Sequence, residues 1–152
     1  MRDFVAFAVE PSAEAAAPLP FAPEIQLGLS RDLTVTLNNP SVAEASAWVI
    51  DSEAFRGYVG PFSALRLVER HTAKAKSQSV SGRGSVFTVS VGEHPNCASP
   101  PVPAPKGFGN LRRLSVQPSE GSIDSCLSWF SVDLFLDAKG AIRAVTLDIW
   151  EP

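Results

Sequence analysis

Hydrophobic and polar residues alternate most regularly near the C-terminal end of the chain. SWFSVDLFL (128–136) and AIRAVTLDIW (141–150) are β-rich runs on either side of Asp137-Ala138-Lys139-Gly140, the pattern of a β-hairpin. Pairing Leu136 with Ala141 sets Val132 against Val145 and Phe130 against Leu147, since hydrophobic matching normally fixes register. Gly140 suits a left-handed turn position, so a bulged turn displaced by one residue is the alternative. Upstream, SVFTVSV (85–91) alternates with Phe87, Val89 and Val91 on its apolar face, and LRRLSVQ (111–117) turns Leu114 and Val116 inward.

The first half of the chain is more broken. FVAFAV (4–9) reads as a short strand or the first turns of a helix, and Pro11, Pro18, Pro20 and Pro23 interrupt everything before Ile25. IQLGLS and LTVTL form two short strands around Ser30-Arg31-Asp32. After Asn38-Asn39-Pro40, SVAEASAWVI starts with Ser41 as a cap and reads as a short helix running into an extended segment. The clearest helical period covers residues 61–76, with Pro61 in the first turn. Ala64, Leu67, Val68, His71 and Ala75 share its apolar face, while Arg70, Lys74 and Lys76 fall late, where cations suit the helix dipole. SQSVSGRGS (77–85) reads as a loop.

These elements predict an α+β fold: an antiparallel sheet of about five or six strands, ending in a β-hairpin and packed on one main helix. A β-sandwich or partly open barrel with one helix is the alternative. The 152 residues fit a single domain, with 1–23 a proline-interrupted N-terminal segment and 93–109 a proline-rich loop inside the domain.

Composition narrows the function classes. A hydrophobic fraction of 45% suits a globular core, and a net charge of −3 argues against a nucleic-acid partner, which favours a basic face. No apolar run approaches the ~18 residues of a membrane span, so no membrane partner is expected. MRDFVAFAVE places Asp3 and Glu10 around only six apolar residues, too short for an export signal. The expectation is a soluble, cytoplasmic protein of bacterial type, with export the alternative if a leader has been removed.

The stretch EHPNCASPPVPAP (93–105) concentrates the unusual chemistry: His94, Cys97 and five prolines. With Asp124 and Cys126, His94 and Cys97 make a weak metal set, because neither CxxC nor HxxxH spacing is present. The structural readings are a Cys97–Cys126 disulfide or two buried free thiols. A Cys–His nucleophile pair lacks an activating setting, and His71 reads as a core or boundary histidine. Neither GRGS (82–85) nor GFGN (107–110) is a phosphate loop, and no GxSxG or HExxH is present. No cofactor is expected.

The other candidate is the second face of the hairpin. In the chosen register Trp129, Ser131, Asp133 and Phe135 lie opposite Asp148, Thr146, Ala144 and Ile142, with Trp150 beyond. Outward aromatics between carboxylates suggest a partner-binding patch, against the plainer reading of solvated strand decoration. The expected function is therefore a non-enzymatic binding or interaction module, accessory, immunity-like or inhibitor-like, with a protein partner. The alternatives are a small-molecule-binding domain or enzyme using Asp133, Asp148 and Tyr58 in a pocket between sheet and helix, and an exported disulfide-stabilised domain.

Overall fold

A computed structural model describes residues 2–50, 62–77, 86–92, 97 and 102–149. Pro61, Tyr58, His94, Trp150, most of the 77–85 loop and parts of the proline-rich loop lie outside the described residues. The fold is α+β. Among the described residues eight strands are formed: β1 (Phe21–Leu29), β2 (Asp32–Asn38), β3 (Val49–Ile50), β4 (Phe62–Ser63), β5 (Phe87–Val91), β6 (Arg112–Pro118), β7 (Phe130–Leu136) and β8 (Ile142–Ile149). Six of them make one open sheet in the order β2-β1-β8-β7-β6-β5, and β3 pairs with β4 separately. Among the described residues β2 and β5 are the two edges of this sheet, which sets it apart from the sandwich and barrel alternatives. It is mostly antiparallel, but β1 runs parallel to β8, a pairing between chain-distant strands that local periodicity does not reveal.

The α-helices among the described residues, α1 (Arg2–Val9), α2 (Ala13–Ala16) and α3 (Ala64–Ser77), accompany the sheet. The 4–9 run is thus helical. Phe4 and Phe7 of α1 enter an aromatic cluster with Phe21 and Trp48, with ring centroids 5.7–6.5 Å apart. Trp48 closes it by donating its indole N–H to the Val42 carbonyl at 2.8 Å. Complete burial of a phenylalanine such as Phe7 stabilises by about 1.5–3 kcal/mol. The cluster joins Leu65 and Val68 of α3 and Val132, Leu134, Val145 and Leu147 of the sheet in one core.

Several boundaries differ from expectation. β1 begins at Phe21, not Ile25, and contains Pro23. Pairing with β8 breaks between Phe21 and Gln26, so Pro23 sits where the ladder is already interrupted. A second irregularity lies between Leu27 and Gly28, where a β-carbon would collide with the Asp32 carbonyl; glycine is required there by close backbone approach. Residues 39–48 form two short 3-10 turns before β3. The main helix starts at Ala64 because Phe62 and Ser63 pair first with Ile50 and Val49. Leu65, rather than Leu67, is its fully buried leucine.

The terminal hairpin forms with a shifted register. Leu136 faces Ile142, and an irregularity next to it sets Val132 against Leu147 and Phe130 against Ile149. Gly140 takes φ +83°, and Asp137 secures the turn by accepting the Lys139 and Ala141 amides on its carboxylate. Relative to the anticipated Val132–Val145 pairing the slip is two residues, so each side chain keeps its face.

Candidate functional site

The second face of the hairpin carries the residues nominated from the sequence, but it does not face solvent. Trp129, Ser131, Asp133, Phe135, Thr146 and Asp148 are all at most 8% exposed. Every position of β7 is buried, so both of its faces are covered, and β8 beside it is buried except at Arg143 and Ile149. The proline-rich loop provides part of that cover. Phe108 packs its ring 6.2 Å from Phe135, Pro105 is buried, and the Val102 carbonyl meets Arg113. The patch expected to bind a partner is an interior layer.

That layer is organised around Asp133, 1% exposed. Arg113 donates to its Oδ2 from Nε at 2.8 Å and from Nη2 at 2.6 Å, and Ser131 donates to Oδ1 at 2.6 Å. The third arm of the guanidinium, Nη1, donates to the Val102 carbonyl at 2.6 Å and so ties the loop to the sheet. Its carbon also lies 5.8 Å from the Phe135 ring centroid. Nearby, Trp129 donates to Gln117 Oε1 at 3.1 Å, and Gln117 donates to Ser90 at 3.3 Å. Ser115 Oγ is the buried side-chain oxygen without a hydrogen-bond partner among the described residues.

Asp133 lies opposite Thr146, and Asp148 opposite Ser131, which makes the two carboxylates diagonal neighbours. An acid–base pair needs access to a substrate and a free proton path. Here one member is ion-paired and closed in by the loop. Both carboxylates also stand on the face turned away from α1 and α3, outside the sheet–helix core proposed for a pocket. The arrangement suits structural cross-linking far better than proton transfer.

Sequence reasoning missed Ser115 and Gln117 as members of this layer. The usable signal was the pairing of a polar strand face with an apolar, proline-stiffened segment containing Val102, Pro105 and Phe108. A strand beneath such a cover need not show its polar side to water.

His71 occupies a second polar point, 7% exposed, with Phe87 and Phe130 edge-on at 5.3 and 5.9 Å. Its Nε2 lies 2.9 Å from Ser122 Oγ, the spacing of a base and a nucleophile. Proton counting argues otherwise. Ser122 Oγ also sits 2.7 Å from the Ser119 carbonyl and 3.0 Å from that of Val86. Two carbonyls compete with the imidazole for that single proton, so the contact by itself does not make Ser122 an activated nucleophile. The pair joins α3 to the segment before Cys126, consistent with a core histidine.

Burial pushes the His71 pKa below its ordinary value of 6.5, and the positive Lys74 pushes the same way; a backbone hydrogen bond at Val86 partly opposes them. Asp124 faces Lys74 at 2.8 Å, and that hydrogen bond and charge hold its carboxyl below the usual range. A histidine with a depressed folded pKa takes up its proton more readily in the unfolded chain, so stability falls as pH drops below about 6.5. Urea midpoints of wild type minus those of His71→Gln, taken between about pH 7 and 5.5, should show that loss; equal slopes would remove His71 from the account.

Cys97 and Cys126 stand at disulfide distance, with Sγ atoms 2.13 Å and Cα atoms 5.4 Å apart. Two bonded thiols are not metal ligands, Asp124 is engaged with Lys74, and His94 lies outside the described residues. Among the described residues, no group of three or more His, Cys, Asp or Glu is placed to hold a metal. No helix among them is long and apolar enough to cross a membrane.

The open surface of interest lies at the other end of the sheet. β5 was expected to bury Phe87, Val89 and Val91; only Phe87 is buried, while Val89 is 43% and Val91 64% exposed. As the last strand of the sheet, β5 extends past the cover given by α1 and α3. Val89 therefore borders a groove of about 580 Å³ with Val5, Val9, Val86 and Phe87 among its walls. Arg2, Lys76 and Glu10 also line it.

Backbone phase matters equally. Ser119 N–H donates to the Val86 carbonyl and Gly92 N–H to the Arg113 carbonyl, so the even-numbered residues of β5 bond to β6. Val89 and Val91 consequently turn their N–H and C=O groups to the outer edge. Among the described residues, FTVSV itself contains no charge, proline or bulge, although native edges usually carry such protection.

No protein-family model, curated protein or solved structure matches this chain.

Proposed function

We propose that the protein is a non-enzymatic interaction module, of accessory, immunity-like or inhibitor-like type, which accepts an extended polypeptide strand along β5. The observation that carries this reading is the combination, at Val89 and Val91, of outward backbone groups, exposed apolar side chains and an adjoining apolar groove. In strand addition, main-chain hydrogen bonds supply affinity and pockets for alternate side chains supply specificity. β5 has both ingredients. The hairpin face has neither, since its aromatics and carboxylates are spent on interior contacts. The Cys97–Cys126 pair supports an exported location over the cytoplasmic one expected from the N-terminal sequence, because disulfides persist in oxidising compartments.

The test is selection of peptides from a displayed random library on wild type and on Val89→Lys. Enriched peptides should alternate apolar residues, and the lysine should abolish their capture while leaving the fold unchanged. Equal enrichment on both proteins, or binding mapped to the 102–111 loop, would reject β5 as the contact surface.

A further inference from the structure

We infer that β5 pairs antiparallel with β5 of a second copy of this chain, about a two-fold axis at Val89. This deepens, and rests on, the strand-binding reading above. The polar–apolar pattern of Phe87-Thr88-Val89-Ser90-Val91 is nearly symmetric about its centre. Two-fold pairing therefore sets Val89 against Val89, Thr88 against Ser90, and Val91 of each copy against Phe87 of the other. Every one of those pairs is free of like charge, the feature that normally penalises self-association of an edge.

Backbone phase fits the same axis. Val89 presents its N–H and C=O outward, so at the axis the two copies of Val89 exchange a pair of hydrogen bonds. Val89 and Val91 also project to the groove side of the sheet, which brings Val91 of one copy to the groove end formed by Val86 and Phe87 of the other. Both charge signs occur along the groove, in Arg2, Lys76 and Glu10, so a chain of net charge −3 meets no uniformly acidic surface. The other edge is a poorer candidate: β2 begins with Asp32, which in an antiparallel self-pairing would be brought to the interface with its charge.

A five-residue strand buries less than the roughly 1,200–2,000 Å² of a standard interface, so the assembly is expected to be a reversible one with a micromolar dissociation constant. Sedimentation equilibrium from about 1 μM to about 1 mM tests it. Wild type should pass from 16.2 kDa to twice that mass. Val89→Lys and Val91→Lys, at exposed positions, should keep the wild-type circular dichroism yet raise the dissociation constant about tenfold or more. Thr34→Lys, on the opposite edge, should dimerise like wild type. A wild type of 16.2 kDa at every concentration would overturn the proposal, as would a dimer indifferent to both β5 lysines or equally weakened by Thr34→Lys. If the monomeric protein still captured peptides along β5, the self-pairing alone would fail; if it captured none, the strand-binding reading would fail with it.

Discussion

Replacing Arg113 with Met is expected to lower the free energy of unfolding by about 3–5 kcal/mol, because it removes one partner of a buried ion pair. Asp133 is 1% exposed and would lose both donors on Oδ2 while its charge stayed in the interior. The same change cuts the bond to the Val102 carbonyl, so the proline-rich loop should exchange its amides faster. Isosteric methylenes in Met preserve some packing against Phe135, which separates charge from volume. Urea denaturation gives the magnitude. Adding Asp133→Leu to Arg113→Met should recover part of the loss, since replacing both charges removes the stranded one. A single variant within about 0.5 kcal/mol of wild type would mean the layer is wetter and less tightly organised than described.

The second large effect concerns Cys97 and Cys126, which are separated by 29 residues. In the chain-entropy model, releasing a loop of that length costs about 3–4 kcal/mol. The Cys97→Ser/Cys126→Ser variant should show that loss, and wild type in reductant should match it. Reductant should leave the variant unmoved. Equal urea midpoints for wild type with and without reductant would show that the cysteines contribute no cross-link to stability. Because Cys97 and Val102 both belong to the proline-rich loop, the cross-link and Arg113 hold the same loop at different points. Their combined loss should differ from the sum of the two, as neighbouring contributions generally do.

Why the fold was readable and the site was not follows from what alternation encodes. A period of two identifies a strand and assigns its faces, which located β7, β8, β6 and β5 and gave their apolar sides. Even the hairpin's two-residue slip left Val132 and Asp133 on their proper faces. Alternation does not state how much cover each face receives. Val89 and Phe87 share a face, yet one borders solvent and the other the core, because β5 lies at the margin of the helix layer. Ser131 and Asp133 read as a solvated side, yet they are interior because β7 is central and a loop lies over them. Both errors have the same origin: cover depends on strand order, and strand order depends on long-range pairings such as β1 with β8.

The same logic explains the helix boundary and the histidine. Pro61 is a good start signal locally, but pairing of Phe62–Ser63 with β3 delays the helix to Ala64. The spacing of His71 from Val68 puts both on the buried face of the helix, since such a face follows directly from the 3.6-residue period. Its link to Ser122 spans 51 residues and had no local signature.

Amide exchange of the protein with and without a peptide selected for binding measures most directly whether β5 is the contact surface. Without peptide, and at a concentration low enough to keep the chain monomeric, the outward amides of Val89 and Val91 should exchange fast, while those of Thr88 and Ser90, bonded to β6, stay slow. With peptide, protection of Val89 and Val91 should rise, and the amides around Val102, Phe108 and Trp129 should not change. Protection appearing at Trp129 and the proline-rich loop, with β5 untouched, would contradict it.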